Sequence, residues 1–298
     1  MSDLRTLLGN AALRLSVAGV DSPRLDTRLL LAHAMNARPD SLVGNIEVPV
    51  EVRQQFEAFV TRRILREPVA YITGRREFWS LEFDVGPGVL IPRPETETLI
   101  EQVLESFPDK SASLSIVDLG TGTGCLLAAC LSEYPNAQGV GIDASEAALA
   151  WARRNIEKLG LGNRCRLELG SWDAIPTSKA DVILSNPPYV RSQDIPLLAP
   201  DVRLHEPLSA LDGGEDGLDA YRVLGLVLVG GLKPEGLAFL ETGAGQGEAV
   251  SAILNAQGLR TTRIATDLAG IGRCVVAGRN SGNSASPEKT VGSTGQNR

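Results

Sequence analysis

Asn186-Pro187-Pro188-Tyr189 is the stretch of this chain whose residue types and order are best suited to chemistry. It follows Asp181-Val182-Ile183-Leu184-Ser185, an apolar run that reads as a buried strand. Neither proline has an N–H to continue a ladder, and each fixes its own φ. The strand must therefore stop there, with Asn186 held extended at its carboxyl end. The Asn186 carboxamide offers one acceptor and two donors at a fixed place. The two prolines and Tyr189 add a flat, rigid, apolar wall. Such a group suits a planar polar ligand, an amide or the edge of a nucleobase. Alone, the tetrapeptide describes a strand and a stiff turn equally well, so other positions must decide.

A second set of residues points to a nucleoside. Asp118-Leu119 leads into Gly120-Thr121-Gly122-Thr123-Gly124. These glycines permit a tight turn and let a ligand approach without a Cβ in the way. A helix starting at once would turn its free N–H groups into the same crevice. The pattern by itself is shared with dinucleotide enzymes. Asp143 ends the next apolar run about twenty residues later, the spacing at which a carboxylate meets ribose hydroxyls. Its other reading is the N-cap of a helix beginning near Ala144. Trp172 follows the third run in Gly170-Ser171-Trp172-Asp173, where an indole can flank an adenine ring. The loop is GTGTG rather than GxGxxG, no histidine lies nearby, and an Asn-Pro-Pro-Tyr segment has no role in hydride transfer. These details favour S-adenosylmethionine over NAD.

The elements that must position these residues follow from the pattern. Short apolar runs at 114–119, 140–143, 165–169, 181–185, 237–241, 262–265 and 274–277 alternate with helical stretches at roughly 124–134, 145–159, 216–232 and 244–257. Such alternation predicts an α/β fold with a mostly parallel sheet covered on both faces. The last two strands lack a helix between them and should pair antiparallel at one edge. The first four strand ends then put Gly120 to Gly124, Asp143, Trp172 and Asn186 along one edge of the sheet, where open α/β sheets bind ligands.

Ahead of this lies a helical region. Leu4, Leu8, Ala11 and Leu15 repeat at helical spacing, Leu25, Leu29 and Ala32 begin a second face, and Val52, Phe56, Phe59 and Ile64 make a third. Tyr71 to Gly74, Glu77 to Trp79, Leu81 to Val85 and Val89 to Ile91 are β-rich and read as a hairpin joining two domains. Pro94 suits the first position of a helix, with Glu95 and Glu97 at its positive end; Arg93 or Thr96 would then lie near the pocket. The divisions expected are a helical domain over 1–73, a hairpin linker over 74–93, the catalytic domain over 94–280 and a disordered tail over 281–298.

Bulk properties narrow the classes. The chain has 298 residues, 43% hydrophobic and 22% charged, with a net charge of −7. That balance disfavours a protein gripping long nucleic acids through phosphates. No apolar run approaches the roughly 20 residues of a membrane span, and the first residues lack the pattern of a signal peptide. The four cysteines have no CxxC spacing and read as reduced thiols of a cytoplasmic protein. His33 lies in an apolar helical run and reads as structural. No metal is expected, and a monomer is.

The glycine loop, Asp143 and the antiparallel last strand resemble the class I S-adenosylmethionine-dependent methyltransferases, a Rossmann-like fold with a mostly parallel seven-stranded sheet. Tyr71-Ile72-Thr73-Gly74, Phe78, Leu90-Ile91-Pro92-Arg93-Pro94-Glu95-Thr96-Glu97, Leu119 to Gly124, Asn186 to Tyr189 and Glu206-Pro207 more narrowly resemble the HemK-type protein-(glutamine-N5) methyltransferases. The similarity spans nearly all of the chain except the tail. Asp201-Val202-Arg203, Glu206-Pro207 and Ala210-Leu211 favour the branch acting on peptide chain release factors over the one acting on a ribosomal protein. The resemblance implies that Gly120, Thr121, Gly122, Thr123, Gly124 and Asp143 hold S-adenosylmethionine, with Trp172 beside the adenine and Asn186 against the same ligand. It implies that Asn186 and the Pro187 backbone bind the target glutamine amide, with Pro188 and Tyr189 packed about it. The family often carries an acid where this chain has Ser171; Asp173 would substitute only with a shifted register. Competing readings are methylation of a nucleic-acid base amine after base flipping, a cofactor-binding scaffold without turnover, and an NAD oxidoreductase.

Overall fold

The computed structural model describes residues 4–44, 46–172 and 179–280. The expectations for the 281–298 tail and for Asp173 lie outside the described residues. The amino-terminal part holds α1 (Leu4–Val17), α2 (Pro23–Ala34), α3 (Val50–Ile64) and the short α4 (Val69–Thr73). A two-stranded antiparallel sheet of β1 (Arg75–Phe78) and β2 (Leu81–Asp84) follows. The remainder is α5 (Glu97–Ser106), β3 (Ser115–Leu119), α6 (Cys125–Glu133), β4 (Gln138–Asp143), α7 (Glu146–Lys158), β5 (Cys165–Leu169), β6 (Ala180–Ser185), α8 (Pro200–His205), α9 (Asp219–Gly231), β7 (Leu232–Glu241), α10 (Gly247–Ala256), β8 (Leu259–Thr266) and β9 (Gly272–Arg279).

The main sheet has seven strands in the order β5-β4-β3-β6-β7-β9-β8. The first five are parallel, and β9 is antiparallel to both β7 and β8. The expected antiparallel pair therefore forms, with β9 inserted between β7 and the edge strand β8. Side chains alternate across the sheet as the pleat requires. Ile116, Val182, Leu184 and Phe239 pack on one face with Leu99 and Ile100 of α5 and Leu127 and Leu131 of α6. Val117, Leu119, Ile183 and Leu240 pack on the other with Tyr221 and Leu224 of α9 and Val250 and Leu254 of α10. Helices on both faces explain why the strands read as apolar runs rather than alternating ones.

Two local expectations differ from the structure. Residues 71–74 are not extended: Val69–Thr73 is helical, entered from Pro68 and ended by Gly74 in the left-handed region (φ 73°). Tyr71 and Ile72 are buried there, and that burial overrides their strand preference. Residues 89–91 form a loop held by side chains rather than a ladder. The Tyr71 hydroxyl donates to the Val89 carbonyl at 2.5 Å, and the Ile91 N–H donates to Glu206 Oε2 at 3.3 Å. The hairpin itself turns tightly at Trp79-Ser80, both with positive φ (53° and 57°). Non-glycine residues adopt this backbone rarely. It is fixed here by α5 and α6: the Trp79 backbone N–H donates to Glu97 and its indole N–H to Glu133, each at 2.8 Å.

The face of α2 also differs. Ala32 is buried as expected and Leu29 half-buried, but Leu25 is 57% exposed, whereas Asp26, Thr27, Leu30 and Leu31 are buried. These four lie on one helical stripe, rotated from the expected one because Asp26 must meet Arg63. Arg63 Nε donates to Asp26 Oδ2 and its Nη2 to Asp201 Oδ2, both at 2.7 Å, and Arg66 also pairs with Asp201. The amino-terminal bundle is thereby bound to α8. His33 stacks against Phe59 with centroids 5.3 Å apart, as a packing residue. Replacing Arg63 with Met strands the buried Asp26 carboxylate and leaves Asp201 to Arg66 alone, so urea unfolding should show a loss of roughly 3 kcal/mol.

Candidate active site

The site begins where β3 ends. Asp118 has no exposed surface and accepts a hydrogen bond from the Thr121 hydroxyl at 2.6 Å. The N–H groups of Gly120 and Thr121 both donate to the Ile142 carbonyl, at 2.8 and 3.0 Å, which latches the loop to β4. Gly120 and Gly122 have φ of +76° and +55°, a backbone that side chains resist. Both glycines line the cavity, with their N–H groups spent on the Ile142 carbonyl and the Asp143 carboxylate. Gly124 is different. Its φ is also positive, at +80°, but it precedes α6 on the side facing Ala152 of α7, and it does not line the cavity.

Asp143 ends β4, and both of its oxygens are used locally. Oδ2 accepts from the Gly122 N–H at 2.8 Å and Oδ1 from the Ser145 N–H at 2.9 Å. It does not cap α7: the Ser145 hydroxyl does, accepting from the Ala148 N–H at 3.2 Å. A carboxylate has about four lone-pair directions, so roughly two remain for a ligand.

These groups surround one cavity of about 460 Å³. Gly120, Thr121, Gly122, Thr123, Asp143, Ser171, Trp172, Asn186 and Pro188 lie on its wall. Its apolar surface comes from Val89, Leu90, Leu126 and Ala148, which were not anticipated as site residues. Arg93 and Thr96 line it as the turn before α5 suggested, and Pro207, Ser209 and Ala210 close the opposite side. Arg93 pairs with the buried Glu206, so the loop of residues 91–93 is tied to the segment after α8. Pro187 and Tyr189 sit behind the wall and do not line the cavity. The Tyr189 hydroxyl points away, donating to Glu241 Oε1 at 3.2 Å.

The Asn186 amide is anchored at one end. Its Nδ2 donates to the Thr96 hydroxyl oxygen at 3.2 Å, which leaves Oδ1 as the acceptor for a ligand. Glu241 was missed as a neighbour of the site. It ends β7, which pairs beside β6, so strand order alone puts a carboxylate next to Asn186. Burial pushes Glu241 up to about 7, against the Thr96 and Tyr189 hydroxyls and the Arg273 charge.

Asp118 is likewise raised, to about 7, by burial, with Thr121 opposing and the Asp143 charge adding to the effect. Its folded value thus lies above the ordinary 3.8. The protonated carboxyl stabilises the fold below that ordinary value, and the contribution is lost as pH rises toward about 7. Relative to Asp118→Asn, the wild type should lose stability over that range, as urea unfolding at a series of pH values will measure.

The cavity offers a carboxylate for a diol, apolar walls for a flat ring, and a carboxamide oxygen for an N–H donor. Residues 6–74 match the PrmC N-terminal domain and residues 110–208 a methyltransferase domain. The chain is 43% identical over 278 residues to the release factor glutamine methyltransferase of Rhodospirillum rubrum, covering 93% of this chain and 85% of that one. It is 42% identical over 270 residues to that of Caulobacter vibrioides (90% and 93% covered). It is 44% identical over 267 residues to that of Cereibacter sphaeroides (89% and 94%). Among solved structures, the hMettl16 catalytic domain in complex with the MAT2A 3′UTR hairpin 6 superposes with a TM-score of 0.55 at 15% identity, covering 72% of this chain and 81% of that one. That likeness is one of fold. The chain belongs to the release factor glutamine methyltransferase family, built on the class I methyltransferase fold with an amino-terminal helical domain.

Proposed function

We propose that this protein transfers a methyl group from S-adenosylmethionine to the side-chain amide nitrogen of the glutamine in the GGQ segment of a peptide chain release factor. The observation that carries this reading is the anchored Asn186 amide, which shares one cavity with the Gly120 to Gly122 loop and Asp143. The names of the relatives support the acceptor.

The residues present fit S-adenosylmethionine. Asp143 keeps lone pairs for the ribose hydroxyls. Trp172, Leu90 and Ala148 offer walls for the adenine, and the left-handed turns at Gly120 and Gly122 leave room for the amino-acid portion. When bound, the cofactor supplies an electrophilic methyl group on a sulfonium. The remaining work falls to the protein. An amide nitrogen is a poor nucleophile because its lone pair is delocalised into the carbonyl. Asn186 Oδ1 accepts one of its N–H groups, and the Pro187 carbonyl is the second acceptor in this reading. Acceptors at both protons favour the positive charge that develops on the nitrogen and fix its direction of attack. Pro188 restricts the acceptor to a flat group. No dedicated base is required, since water can take the proton afterwards.

Incubation with labelled S-adenosylmethionine and unmodified release factors, ribosomal proteins or nucleic acid will test this, with mass spectrometry locating the label. Methylation of the release factor glutamine is expected. Label in a ribosomal protein or a base instead would replace the assignment. Asn186→Ala should lower turnover about a hundredfold or more while cofactor affinity is retained. Asp143→Ala should weaken S-adenosylhomocysteine binding by about tenfold or more, as calorimetry will read.

A further inference from the structure

Asn186 and the Pro187 carbonyl hold an acceptor amide in one place only if the backbone that carries them does not swing. Pro187 and Pro188 each have a fixed φ. Asn186 and Pro187 each stand before a proline and are kept out of the helical region. The segment is therefore a stiff rod, and its direction is set at its two ends. The near end is built into the sheet: Ser185 of β6 pairs with Leu240 of β7, and its hydroxyl donates to the Leu119 carbonyl at 2.7 Å. The far end is Tyr189, which lies beyond the last residue of β6.

That end is held from the turn between β7 and α10. Gln246 Nε2 donates to the Tyr189 carbonyl at 3.0 Å and to the Gly217 carbonyl at 3.4 Å. Its Oε1 accepts from the Gly243 N–H at 2.9 Å. An N–H needs the oxygen of a carboxamide and a carbonyl needs its NH2, so these three partners fix which way the Gln246 amide faces. Gln246 stands immediately before α10 and makes no side-chain cap to it. Two glycines let the backbones close up. A Cβ on Gly217 would lie 2.5 Å from the Tyr189 carbonyl oxygen, and one on Gly213 would lie 2.8 Å from the Pro188 carbonyl oxygen. Val190 is laced to the same loop: its N–H donates to the Leu211 carbonyl at 2.9 Å, and its carbonyl accepts from the Gly213 N–H at 2.8 Å. The hydroxyl bond to Glu241 holds the Tyr189 ring, and Gln246 holds its peptide.

We propose that Gln246 is a positioning residue for methyl transfer. By holding the Tyr189 carbonyl it fixes the far end of the proline-stiffened rod, and so the place where Asn186 and the Pro187 carbonyl meet the acceptor amide. This rests on the acceptor reading given above. A side chain 57 residues further along the chain thereby aims the reacting nitrogen without touching it. A displacement of about 1 Å at a reacting group can cost on the order of a hundredfold in rate. Gln246 does not line the cavity, so the cofactor's place should survive its loss.

The test uses the full chain with Gln246→Met, Gln246→Glu, Asn186→Ala, and Gln246→Met combined with Asn186→Ala. Met keeps the length of the side chain and removes all three hydrogen bonds. Glu keeps the acceptor for the Gly243 N–H and turns an oxygen toward two carbonyls. Both should lower kcat for release factor methylation about tenfold. KM for the release factor and S-adenosylhomocysteine affinity, the latter read by calorimetry, should stay within about twofold of wild type. With Asn186→Ala already in place, Gln246→Met should add less than about threefold, because the rod no longer carries the side chain it aims. The same tenfold loss in both backgrounds is what a merely structural role would give, and it overturns the assignment. So does wild-type turnover in Gln246→Met, a loss in the Met variant that the Glu variant does not share, or a fall in S-adenosylhomocysteine affinity that matches the fall in kcat. Any of these, with turnover still lost in Asn186→Ala, leaves the acceptor reading standing. Wild-type turnover in Asn186→Ala removes that reading, and this inference with it.

Discussion

Parallel strands all finish on the same edge of a sheet, and the candidate site depends on that constraint. β3, β4, β6 and β7 bring Gly120, Asp143, Asn186 and Glu241 to one rim although more than a hundred residues separate the first from the last. At that rim the hydrogen-bonding ladder has run out, and the backbone must turn. The turn at Gly120 to Gly122 satisfies its amides on the Ile142 carbonyl and the Asp143 carboxylate. The loop and the carboxylate are therefore one unit, and a change in either moves the other.

The groups at this rim are held by a shell drawn from distant parts of the chain. Residues 89–96 come over the cavity from the linker side, pinned by Tyr71 and by Glu206. The segment after α8 closes the far wall, and its own position is set by Asp201 against Arg63 and Arg66. No described residue of the amino-terminal bundle lines the cavity, yet its buried arginines fix a helix that leads into it. Buried charge serves in both places as a directional contact: an arginine fork donates to a carboxylate in few geometries, unlike a patch of apolar surface.

Much of this was legible in the residues. Glycines where φ must be positive, acids at strand ends, and prolines that halt a strand leave signatures that neighbours seldom override. The alternation of runs and helices carried the fold class for the same reason, since a strand covered on both faces must be apolar throughout. The failures were equally physical. Val69–Thr73 has strand-forming residues but is helical, because burial of Tyr71 and Ile72 decides its conformation. The stripe of α2 turned because Asp26 needs a cation located 37 residues away. Tyr189 looked like part of the wall, and its hydroxyl instead reaches a carboxylate 52 residues on.

The sequence by itself determined the parallel sheet, the glycine turn, the acid at the end of β4 and the rigid Asn-Pro-Pro segment, because each is set by local backbone sterics or by strand-scale burial. It could not determine which ends of polar side chains face one another. Only the tertiary structure decided that Gly124 faces Ala152 rather than the cavity, that Ser145 rather than Asp143 caps α7, and that Asn186 is tied through its NH2 to Thr96. Hydrogen bonds between remote segments have no period along the chain; they exist only once the sheet has brought its strand ends together.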